Sequence, residues 1–288
     1  MLKILKTIFS NYNINKKDIY LVDPYRDKDF LIDSIEKEKI LGIDTEFDWR
    51  NTYFPKLSLL QIATKSRILL IDCLKIESLD FLKQLLEDEN KLIIFHSSRS
   101  DTTVLYTNLN IKVENIYDIQ IGEKYISEGD SKNYAALVNK YFCINLKKTE
   151  TNSNWLKRPF SKEQLNYAAD DVNFLLEIYT KQKKVLKKNN LLNLALSESI
   201  KESKLGNQEL HISRIKKLKK LSKAEKNIFL WREKHARKLN IPTSYIFKNK
   251  NLKKLVHLSQ SKEINQEEII KYFNNNNFVK DFVDFIDN

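Results

Sequence analysis

The chain has 288 residues, 42% hydrophobic and 31% charged, a balance that suits a folded globular protein and excludes a disordered one. Two cysteines, Cys73 and Cys143, argue against a disulfide framework or a zinc site and for a reducing, cytoplasmic setting. The net charge of +12 falls mostly in residues 201–288, so a polyanion touched through the tail is expected, with a lysine-rich composition as the bland account.

Near the N-terminus, lysines interrupt Leu2, Ile4, Leu5, Ile8 and Phe9 and no small-residue cleavage site follows, so neither a signal peptide nor a membrane span is expected. Residues 18–22 read as a strand and 27–38 as a helix. The apolar run Ile40–Ile43, bounded upstream by charge, reads as a buried strand that ends in Asp44-Thr45-Glu46-Phe47. Alternation on a strand puts Asp44 and Glu46 on one face. Two such carboxylates repel and resist desolvation, and a hard divalent cation relieves both effects. The plain alternative is a strand emerging into solvent. Leu57–Ala63 and Arg67–Asp72 form a predicted hairpin, a helix follows over 78–88, and Leu92–Phe95 is another strand.

His96-Ser97-Ser98-Arg99-Ser100-Asp101 then leads into a helix. Ser98 and Asp101 have capping-box spacing, so Asp101 either caps that helix or joins a ligand site at the strand's carboxyl end. Both readings stand at this point. A short strand over 113–117 is followed by Asp118 as a helix cap and by helical segments to 142. Ser161 and Gln164 form a capping box that opens one long helix to about 187. On it Tyr167 and Asp171, four apart, lie together off the apolar stripe of Leu165, Ala168, Val172 and Leu176. Asp170 reads as solvent-facing and Trp155 as packing.

Asp44-x-Glu46, Asp101 and Tyr167-x-x-x-Asp171, in this order on this element pattern, resemble the DEDD superfamily of 3′→5′ exonucleases, in the tyrosine branch that includes ribonuclease D. Tyr53-Phe54-Pro55, Leu57-Ser58-Leu59-Leu60-Gln61 and Asn154-Trp155-Leu156-Lys157-Arg158-Pro159-Phe160 look like segments of the same family, which together cover roughly residues 20–190. The sister branch carries a histidine at the position of Asn166, so Tyr167 is the candidate here. Ser222–Arg237 and Ile241–Phe247 look like the family's small helical HRDC module, with helices expected over 251–259, 265–275 and 278–286.

The resemblance implies an α/β, ribonuclease H-like mixed sheet flanked by helices, followed by a small all-α bundle. The boundaries read as an exonuclease domain over 1–190, a helical linker over 191–213 and the HRDC-like part over 214–288. It further implies that Asp44, Glu46, Asp101 and Asp171 hold two Mg²⁺ or Mn²⁺ ions about 3.5–4 Å apart. Tyr167 would orient the attacking water, and nucleoside 5′-monophosphates would leave the 3′ end of RNA. Precursors of tRNA with 3′ extensions are the implied partner, and a monomer is expected. Phe47 is a candidate for stacking on a base, and Lys157, Arg158, Arg214, Lys216 and Lys217 for phosphate contact, with packing and solvated surface as the competing readings. Two alternatives remain: a 3′→5′ DNA exonuclease, and a non-catalytic nucleic-acid-binding protein on the same fold.

Overall fold

The computed structural model describes residues 3–4, 17–75, 80–129, 132–147, 149–218, 221–261 and 265–287. The short apolar runs become β1 (Lys3–Ile4), β2 (Asp18–Val22), β3 (Ile40–Asp48), β4 (Lys56–Ala63), β5 (Arg67–Asp72), β6 (Leu92–Phe95) and β7 (Ile116–Asp118). They form one sheet in the order β1-β2-β5-β4-β3-β6-β7. The pairs β2/β5, β3/β6 and β6/β7 are parallel, and β1/β2, β3/β4 and β4/β5 antiparallel. The mixed sheet and its 57–72 hairpin are as expected.

Helices cover both faces, so β4 and β5 are apolar on both pleats. Leu41, Leu60, Ile62 and Leu69 pack with α1 (Lys28–Glu36), α2 (Asp80–Leu86) and α3 (Arg99–Leu109). Leu59, Ala63 and Leu70 face the other way, toward α4 (Ile119–Ile126), α5 (Tyr134–Phe142), α6 (Lys162–Asn173), α7 (Leu175–Lys188) and α8 (Leu192–Gly206). The tail folds as α9 (Leu210–Lys217), α10 (Lys223–Leu239), α11 (Thr243–Ile246), α12 (Leu252–Ser259), α13 (Gln266–Ile270) and α14 (Val279–Asp287), around its own core of Trp231, Phe247, Leu255 and Phe282. Both predicted capping boxes form, Ser161 with Gln164 and Ser222 with Glu225.

Four expectations need correction. The single helix over 161–187 is two helices, broken at Phe174. The strand expected at 113–117 is Ile116–Asp118, because Ile111 and Val113 fill the core as coil instead of joining the ladder. Residues 191–213, read as a helical linker, are mostly helical, and up to Gln208 they belong with the sheet unit. Most of them form α8, with Ser199, Ser203 and Gly206 buried, and a Cβ on Gly206 would stand 2.0 Å from the Thr102 hydroxyl of α3. Finally, contacts divide the chain into Met1–Asp48 with Lys56–Gln208, and Trp49–Pro55 with Glu209–Asn288. The β3–β4 loop therefore belongs with the tail: Tyr53 is 1% exposed and its hydroxyl donates to Glu233 at 2.9 Å. No helix among the described residues is long and apolar enough to cross a membrane.

Candidate active site

β3 pairs with β4 through Asp44↔Gln61 and Glu46↔Leu59, and a register shift after Glu46 ends the regular ladder. The pleat turns both carboxylates toward α6, which presents Asp171. Ligand oxygens of Asp44, Glu46 and Asp171 all lie within 4.8 Å of one another. Burial, then the charges of Asp101, Asp171 and Glu46, hold the Asp44 carboxyl well above the usual range. Glu46 is pushed up to about 9 by burial and by Asp171 and Asp101. Three carboxylates gathered this closely, two of them held protonated by burial and by their neighbours' charges, form a set that a divalent cation fits: oxygen donors only and mutually repelling.

Asp101 lies outside the 4.8 Å group, although its charge reaches Asp44 and Glu46. Its Oδ1 accepts from the Thr45 amide at 3.1 Å and the Thr45 hydroxyl at 2.6 Å, and burial outweighs these bonds to push the carboxyl up to about 7. Thr45 occupies the opposite pleat from Asp44 and Glu46, which is how α3 reaches the same strand. The capping alternative for Asp101 fails, since Ser98 makes no side-chain cap bond and its hydroxyl is buried without a hydrogen-bond partner. The turn into α3 is shaped instead by Asp118. Its carboxylate accepts from Ser97 N (3.0 Å), Ser98 N (2.8 Å) and Gln120 N (2.9 Å), holding Ser97 at φ 62° while capping α4 as expected.

Tyr167 is half-buried, 3.3 Å from the Thr151 hydroxyl, and burial with the Asp171 charge keeps its phenol protonated. A cavity beside the trio is lined by Asp44, Asp171, Tyr167, His96, Tyr134 and Asp170. Asp170 is thus not solvent-facing; burial pushes its carboxyl up to about 7. Trp155 packs as expected, 3% exposed beside Tyr167.

The phosphate-contact candidates separate. Arg158 is committed internally, with a two-point bridge to Asp72 (2.8 and 2.7 Å) and bonds to the carbonyls of Trp155 and Ser58. Arg214 pairs with Glu233 at 2.9 Å and lies 4.4 Å from the Tyr53 ring centroid, so it ties the β3–β4 loop to α10. Lys157, Lys216 and Lys217 are exposed and Phe47 is half-buried. Lys219 and Lys220 of the same basic run lie outside the described residues. The roles of Thr45 and Tyr134 left no signal in the sequence, and Asp118 was legible only as the cap of α4.

Residues 21–187 match the family described as 3'-5' exonuclease, more than half of the chain. The chain belongs to the 3′-5′ exonuclease family. Residues 223–267 match the HRDC domain. Among curated relatives, Ribonuclease D of Desulfotalea psychrophila is 30% identical over 234 residues, 76% of this chain and 61% of the relative. Ribonuclease D of Haemophilus influenzae is 31% identical over 230 residues, 76% and 58%. The exonuclease-family chain thus spans about three fifths of the length of these relatives. The crystal structure of Escherichia coli RNase D, described as an exoribonuclease involved in structured RNA processing, superposes with a TM-score of 0.77 at 22% identity. It covers 90% of this chain and 71% of that one, and shows the shared fold.

Proposed function

We propose that this chain is a metal-dependent 3′→5′ exoribonuclease of the ribonuclease D type, acting in the cytoplasm on RNA with 3′ extensions, tRNA precursors foremost. The observation that carries the reading is the convergence of Asp44, Glu46 and Asp171 within 4.8 Å, with Tyr167 one helical turn before Asp171. Asp44, Glu46 and Asp171, with Asp101 beside them, would hold two Mg²⁺ or Mn²⁺ ions. Bound there, the ions supply a water of lowered pKa and charge stabilisation for the leaving 3′-oxygen.

The chain's own groups do the rest. Tyr167 stays a neutral phenol, so it acts as a hydrogen-bond donor and acceptor that orients a water and not as a base. Thr45 fixes Asp101, leaving its second oxygen for the site. Lys157, Lys216 and Lys217 are exposed and would contact phosphates, and Arg158 and Arg214 hold ion pairs within the fold. Phe47, just past the register shift, would stack on a base.

The test is degradation of matched 5′-labelled RNA and DNA oligonucleotides by wild type and Asp44→Asn, with and without chelator. RNA shortened stepwise from its 3′ end to mononucleotides, and lost in the variant and in chelator, is expected. Faster loss of DNA would move the reading to a DNA exonuclease, and no loss of either to a binding protein.

A further inference from the structure

The break between α6 and α7 is built by side chains from elsewhere in the fold. In an unbroken helix the Phe174 amide would donate to the Asp170 carbonyl. Here the Tyr134 hydroxyl lies between them: Phe174 N donates to it at 3.1 Å, and it donates to Asp170 O at 3.0 Å. The Asn173 carbonyl, also freed by the break, accepts from the Lys17 ammonium at 2.6 Å, and Glu177 holds that ammonium at 3.1 Å. Tyr134 is 8% exposed and Lys17 2% exposed. A side chain inserted into the i→i−4 ladder is an established cause of a helix break, and the three backbone groups it frees, the Phe174 amide and the Asp170 and Asn173 carbonyls, are all satisfied.

The break lies three residues beyond Asp171. It lets the first turn of α7 press on β3 at Gly42, where a Cβ would come within 2.9 Å of Leu176 and 3.0 Å of Leu175. Gly42 is two residues before Asp44. The same insertion therefore sets where α6 ends and how its last turn registers on the strand that carries Asp44 and Glu46.

We propose that Tyr134 is a positioning residue for the carboxylate trio: by splitting the α6–α7 ladder, its hydroxyl holds Asp171 within ligand distance of Asp44 and Glu46, with Lys17 as the second pin. The consequence for metal rests on the function proposed above; the placement of Asp171 does not.

The experiment uses the full chain, comparing crystal structures and calorimetric Mn²⁺ titrations of wild type and Tyr134→Phe. The ring fills the same space, and Phe174 N is free to close on Asp170 O. Closure of that bond, withdrawal of Asp171 from the trio and a loss of Mn²⁺ affinity of about tenfold or more are expected, the last being typical for removal of an outer-shell support. An unchanged break with an unchanged trio would overturn the inference. If Tyr134→Phe does not fold, Lys17→Met is the second variant, expected to shift the trio in the same sense; an unmoved trio there also overturns it. A wild-type chain that binds no Mn²⁺ would instead overturn the metal reading, while the crystal structures still decide the placement of Asp171.

Discussion

Burial of carboxylates, reinforced in the trio by their mutual repulsion, sets the chemistry at the residue scale. Glu46 has an ordinary value of 4.5 and is raised to about 9 in the fold, and Asp101 and Asp170 are raised to about 7. A raised carboxyl makes the folded state bind more protons than the unfolded one, so stability falls as pH climbs through that window. Chelated protein should therefore melt at lower temperature at pH 8 than at pH 5.5. On the proposed function, excess Mg²⁺ should recover more of the loss at the higher pH, because it would bind the folded, ionised set. Melting curves at both pH values, with and without Mg²⁺, check this; a pH-independent melting point in chelator would contradict the burial of the trio. Tyr167→Phe keeps the ring beside Trp155 and removes only a hydroxyl. It should slow single-turnover cleavage by roughly tenfold, about one hydrogen bond's worth, with RNA binding retained.

At the scale of elements, the motif helices are held by neighbours that carry no motif. α8 packs on α3 through Gly206 against Thr102, and Glu202 takes Arg99 at two points, 2.6 and 2.7 Å. The Ser199 hydroxyl accepts from the Asp118 amide at 3.0 Å, so α8 also backs the turn that leads to Asp101. Gly206→Ala forces a methyl group onto Thr102 and the Arg99 carbonyl and should cost about 1–3 kcal/mol, read as a lower urea midpoint. Arg158 plays the same part for the segment before α6. Arg158→Lys should lower stability and leave the salt dependence of RNA binding unchanged, because the fork to Asp72 is lost and no phosphate contact is.

For the whole molecule, the surplus of positive charge lies in a tail whose core includes a loop from between the two central strands. Removing everything after Gln208 takes away the Arg214–Glu233 pair and uncovers Tyr53, Phe54 and Trp49. The shortened chain should keep the carboxylate trio and cleave a short oligonucleotide, yet be less soluble than the parent. Its affinity for long structured RNA should fall less steeply with salt, by roughly 0.7–0.9 log unit per phosphate contact removed. Lys216→Ala with Lys217→Ala should flatten the slope without the solubility loss. RNA affinity at several salt concentrations decides both, and equal slopes would make the tail's charge a solvated surface.

Periodicity alone placed Asp44 and Glu46 on one pleat and Tyr167 and Asp171 on one helix face, because those relations depend only on backbone geometry. The capping boxes at Ser161 and Ser222, the β4–β5 hairpin and the mixed sheet were readable for the same reason. What no local pattern carries is competition among distant groups for the same backbone atoms. Thr45 takes Asp101 away from a cap, Tyr134 enters a ladder 36 residues further on, Asp72 and Glu233 occupy two arginines that were candidates for phosphate contact, and α3 packs against the helix that read as a linker. Each is a long-range pairing, settled only when the folded chain brings buried donors and acceptors together and leaves them no water to choose instead.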